Sequence, residues 1–163
     1  MRERDVLAAA NVDTGSASCP RATLARHVAR GLHEAVPVTI TREIDAAVLE
    51  RVRNESALPF TVIWAKASAS VLADHPLLAS TWNSGSIESL PSDAIAFALA
   101  SEQGLRTPVL TAVRTKSVED LKTEVSLYAN RIRDGGSVLQ TAGAGFTITS
   151  LGRHGVDVFT PTL

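Results

Sequence analysis

Five side chains in this 163-residue sequence could supply nucleophile or base chemistry: Cys19 and the four histidines His27, His33, His75 and His154. A thiol beside an imidazole would make a nucleophilic centre, because the imidazole takes the proton and the thiolate attacks. Cys19 ends the small, polar stretch DTGSASC, where only Arg21 stands close enough in sequence to lower a thiol pKa. It reads as an incidental free cysteine. His27 and His33 lie six residues apart, off any common helical face, and read as solvated. His75 precedes Pro76 and reads as a helix-end residue, while His154 sits in the turn GRHG without an acidic partner. No pair of histidines, cysteines or carboxylates has the spacing of metal ligands. The glycines of TAGAG and GRHG do not precede a helix, so neither stretch forms a phosphate cradle. The residues alone show no self-contained catalytic constellation.

The elements that would position any site are those of a single α/β domain. A chain of this length buries roughly 68–70% of its unfolded surface. Sixteen basic and seventeen acidic side chains leave a net charge of −1. That balance excludes a nucleic-acid grip and a polybasic membrane patch. A single cysteine excludes an internal disulfide framework and fits a reducing cytoplasm. There is no signal-peptide-like apolar run after Met1, no stretch near the ~20 apolar residues of a membrane span, and the expectation is a cytoplasmic protein with no metal.

Along the chain, residues 1–19 read as an irregular arm. From Pro20 the apolar residues Leu24, Val28 and Leu32 share one helical face. PVTITREID alternates apolar and polar residues and predicts a strand. AAVLERVRNE predicts a short helix closed by the SALP loop, and TVIWAKASASVLADH a third helix, apolar nearly all round and so mostly buried. A hairpin is expected around Asn83-Ser84-Gly85, and the apolar runs AIAFALA and PVLTAV have strand length. SVEDLKTEVSLYANRIRDGG is the clearest helix. Val118, Leu121, Val125, Tyr128 and Ile132 line one face, Ser117 and Asp120 form a capping-box-like start, and Gly135-Gly136 ends it. AGFTITSLGRHGVDVFTPTL reads as a strand, a turn and the start of a second strand.

The order of these pieces is distinctive. Arg21 to Ala25 as R-x-x-x-A is followed by VPVTITREIDAAVLERVR, by WAKASASVLADHP, by AIAFALASEQGLRTPVL, by the Ser-x-Glu-Asp-Leu helix and by GFTITSLGRHGVDVFTP. From about Pro20 to Pro161 the chain resembles the acyltransferase catalytic domain of 2-oxo-acid dehydrogenase complexes, a fold shared with chloramphenicol acetyltransferase. Lys66-Ala67, Gly104-Leu105 with Pro108-Val109, and Phe146 to Gly152 are the most specific pieces. The fold implied is a two-layer α/β sandwich with a mixed β-sheet, incomplete without its C-terminal strands, with residues 20–163 as the N-terminal portion of the domain.

The resemblance also implies a mechanism. In such domains a histidine of an H-x-x-x-D-G motif takes the proton from a thiol or hydroxyl acceptor, and a hydroxyl in the F-T-I-S segment donates to the oxyanion. The two come from neighbouring subunits of a trimer, in a channel reached by coenzyme A from one side and by the acceptor from the other. Thr149 matches the oxyanion hydroxyl; it keeps the donor and adds a methyl. Arg21 matches an arginine that in relatives can pair with the motif aspartate, here in trans. No H-x-x-x-D-G occurs in the 163 residues. The asparagine that often follows the family's proline is Ala79 here, and the 163 residues read as holding neither a lipoyl domain nor a peripheral-subunit-binding segment, so the expected acceptor is one other than lipoamide.

Three readings follow, of which a truncated or pseudogene product is disfavoured by the intact start and the regular helix capping. In the first, the chain is one subunit of a split CoA-dependent acyltransferase. A second polypeptide supplies the base, and the acceptor is a small molecule, such as a hydroxyl in a natural-product (tetronate-type) pathway. In the second, it is a non-catalytic interaction protein that retains the trimer-forming fold.

Overall fold

The computed structural model describes residues 25, 26, 28, 29, 31, 33, 36–83, 85–101, 104–136 and 143–161, without the side chain of Arg153. The chain divides into two units, residues 1–40 with 160–163, and residues 41–159. In the first, the described residues between 25 and 33 are helical and residues 36–40 have no regular secondary structure. In the second, α1 spans Ala47–Ser56, α2 Phe60–Asp74 and α3 Val118–Arg133. The strands are β1 Ser80–Asn83, β2 Ser86–Ser89, β3 Ile95–Phe97, β4 Leu99–Ser101, β5 Gly104–Arg106, β6 Val109–Leu110 and β7 Phe146–Ile148.

Local chemistry accounts for the helix ends. The Ser117 hydroxyl accepts from the Asp120 N–H at 3.0 Å and donates to the Asp120 carboxylate at 2.7 Å. One orphan donor of the first turn is thereby satisfied. Glu119 and Asp120 in the first turn, and Arg131 and Arg133 in the last, complement the helix dipole. Gly135, at φ +77°, turns the chain out of α3. The predicted face is the buried one: Leu121, Val125 and Ile132 are sealed, with Val118 and Tyr128 packed at the margin of the core.

α2 departs from its expectation. Val62, Ala65, Ala69 and Leu72 are buried on one face, while Val71 stays 54% exposed and Trp64 37%. Its composition allows burial all round, but α3, β3 and β7 cover one side only. Lys66 on α2 holds the turn before α3, donating to the carbonyls of Arg114 at 3.1 Å and Lys116 at 2.6 Å. Bonds from an ammonium are about twice as strong as neutral ones. Lys116 in turn pairs with Glu124 of α3 at 2.6 Å.

The central sheet is mixed, in the order β6–β3–β7. β3 is antiparallel to β6 and parallel to β7, with Ile95 opposite Phe146 and Phe97 opposite Ile148. A parallel pair needs a long crossover, and α3 lies within it. On one face of the sheet Ile95 and Phe97 join α2 and α3 in the main core, together with Phe146 and Ile148. On the other lie the small side chains Ala94, Ala96 and Val109, with Ala144 against them. The helices on one face of a mixed sheet make the expected two-layer α/β arrangement.

Several expected strands are shorter or absent. AIAFALA splits at Ala98 into β3 and β4, which belong to different sheets, β4 pairing with β5. PVLTAV contributes only Val109–Leu110, because Ala112 turns left-handed at φ +53°. Residues 36–46 form no strand, with Val38 81% exposed, nor do residues 156–161 after the GRHG turn. Alternation and β-propensity make a segment ready for a ladder, but only a paired neighbour makes it a strand. The hairpin forms as expected, with β1 antiparallel to β2 and Gly85 at φ +91°. Residues 1–19, including the expected arm, lie outside the described residues, as do Leu24 and Leu32. No single described helix is long and apolar enough to cross a membrane.

Two consequences are measurable. Ala57 and Ala112 occupy the left-handed region at φ +49° and +53°, which costs a Cβ-bearing residue roughly 1–2 kcal/mol. Glycine avoids that strain but loses more entropy on folding. Ala57→Gly and Ala112→Gly are each expected to raise stability by up to about 1 kcal/mol, read as a higher denaturant midpoint. Tyr128, the chain's single tyrosine, meets Phe97 edge-on at 6.2 Å. Burial, and next the Glu124 carboxylate, push its phenol above the ordinary 10.0. A raised folded value means a contribution fully present below pH 10 and lost as pH climbs through the folded pKa. The phenolate absorbance of the native chain is expected to titrate above 10 and to return to the ordinary value on denaturation. Tyr128→Phe is expected to flatten the alkaline loss of stability.

Candidate acyl-transfer site

Thr149 directly follows β7. The carbonyl of Ile148 accepts from the Ala98 N–H at 2.9 Å, so the chain is held by β3 up to the residue before it. Strand alternation sends Phe146 and Ile148 to the helix side and Thr147 to the side of the small residues Ala94, Ala96 and Val109. The Oγ1 of Thr149 is buried and has no hydrogen-bond partner; among the described residues no other buried side-chain polar atom is left in this state. Burying a polar group without a partner costs about 1–3 kcal/mol. No acceptor for this hydroxyl is supplied by the described residues. The β-branched side chain has restricted χ1 freedom, which lowers the entropy lost in aiming it.

The approach to β7 is set by a backbone contact that sequence reasoning missed. A Cβ on Gly145 would lie 2.6 Å from the carbonyl carbon of Ala79 and 2.9 Å from both its Cα and the Ser80 nitrogen. Only glycine lets these two segments touch. Ala79 is buried, and its carbonyl accepts from the Leu90 N–H at 2.8 Å, closing the base of the β1–β2 hairpin. The signal was in the sequence, a glycine directly before a strand, but it did not say which backbone would press against it.

His154 lies on a 3-10 turn, Gly152–His154, closed by Gly155 at φ +68°, and is exposed. His75 caps the C-terminal end of α2 and His33 is exposed on its helix. Arg21, Cys19 and His27 lie outside the described residues. No three or more His, Cys, Asp or Glu side chains among the described residues are grouped to hold a metal.

The model of the 2-oxoacid dehydrogenases acyltransferase (catalytic domain) family matches residues 12–163. The chain belongs to this family. As an acyltransferase-family chain it is 29% identical over 155 residues to the "Dihydrolipoyllysine-residue acetyltransferase component of acetoin cleaving system" of Bacillus subtilis (strain 168), covering 88% of this chain and 39% of that protein. Among solved structures, a probable dihydrolipoamide acetyltransferase from Listeria monocytogenes 4b F2365 superposes with a TM-score of 0.79 at 25% identity, over 94% of this chain and 70% of that one. The cubic core of a pyruvate dehydrogenase multienzyme complex gives 0.80 at 26% identity, over 94% and 68%. The chain thus spans less than two fifths of the Bacillus relative and about seven tenths of the solved chains. The acyltransferase fold, and its mixed sheet, stand as the sequence resemblance implied.

Two substitutions separate packing from site chemistry in this acyltransferase-family chain. Gly145→Ala forces backbone against backbone and is expected to destabilise by about 1–3 kcal/mol, the usual range for overpacking. Thr149→Val removes the unpartnered hydroxyl and keeps its shape. It is expected to leave stability unchanged or raise it by up to about 1 kcal/mol in denaturant unfolding. A loss above that size would mean that the hydroxyl is bonded within the fold.

Proposed function

We propose that this chain carries the oxyanion-stabilising part of a CoA-dependent acyltransferase site. It would move an acyl group, acetyl in the simplest case, from a coenzyme A thioester to a thiol or hydroxyl of a small acceptor. One observation carries the reading: the buried, unpartnered Thr149 hydroxyl ends a Phe-Thr-Ile-Thr segment in a chain of the acyltransferase family. Attack on the thioester carbonyl turns its oxygen into an oxyanion, and a donor fixed in advance lowers the barrier without reorganising. Thr149 donates to that oxygen while a base takes the acceptor's proton. Collapse of the tetrahedral intermediate breaks the carbon–sulfur bond and releases the coenzyme A thiolate, which the protonated base neutralises.

In this reading the base, borne on an H-x-x-x-D-G motif that the 163 residues do not contain, is supplied by a second polypeptide within a trimer-based assembly of the kind the family resemblance implies. Arg21 would face the aspartate of that motif in trans. Ala79, where relatives often carry asparagine, supports an acceptor other than lipoamide, such as a small-molecule hydroxyl of the tetronate kind.

Acetyl-CoA cleavage with small thiol and hydroxyl acceptors tests the reading. The chain by itself is expected to show no turnover above the uncatalysed rate, for want of a group near neutral pKa beside the acceptor. With a polypeptide bearing H-x-x-x-D-G added, turnover is expected, and Thr149→Val is expected to cut kcat by about 10²–10³. Turnover by the chain alone that disappears in His154→Ala would overturn the assignment and make His154 the base.

A further inference from the structure

We draw no further inference here: the strongest candidate, the apolar stripe of Ile44, Val48 and Val52 at the start and along the exposed side of α1, carries nothing because no observation in the structure shows what covers it.

Discussion

The parallel pairing of Ile95–Phe97 with Phe146–Ile148 is the constraint on which the rest of the 41–159 unit depends. It is only three residues long, and a ladder of that length does not stand alone in water. It holds because Ile95 and Phe97 reach the main core from one side, where Phe146 and Ile148 pack with them under α2 and α3. The crossover that a parallel pair demands is supplied by the chain that includes α3, whose cap, dipole charges and apolar face are all in order. Lys66 then ties the start of that crossover helix to α2 through two carbonyls. Each part leans on the pairing, and the pairing on each part.

The same ladder aims Thr149. Its neighbour Ile148 is bonded to Ala98, and the run into β7 is pressed on Ala79 through a position that admits no side chain. Rigid backbone on both sides is the condition under which an unpaired hydroxyl can persist, since a mobile segment would turn it to water or to a carbonyl. A buried polar atom without a partner is a local cost in free energy, of a kind that native structures keep rare.

A second feature is the apolar surface the unit leaves open. α1 has no buried residue, and Val48 is 60% exposed on it. Trp82 and Ile87, directly opposite each other in the β1–β2 hairpin, are 63% and 61% exposed. Side chains of this size scattered singly are ordinary, but rows of them along an element mark surfaces that prefer a neighbour.

What the sequence determined by itself was whatever rests on local chemistry and on the order of motifs. The α3 helix, its Ser117 cap and buried face and the hairpin at Asn83 to Gly85 were all legible, because capping, period and turn signals act within a few residues. The family resemblance supplied the mixed sheet. Only the tertiary structure decided which apolar runs became strands. AIAFALA divided at Ala98, PVLTAV stopped at the left-handed Ala112, and VPVTIT found no ladder at all. A strand is a relation between two distant segments, so its existence is not written in either one. The Gly145–Ala79 contact and the unpartnered state of the Thr149 hydroxyl are of the same kind: each is a fact about what the fold brings near, or fails to bring near.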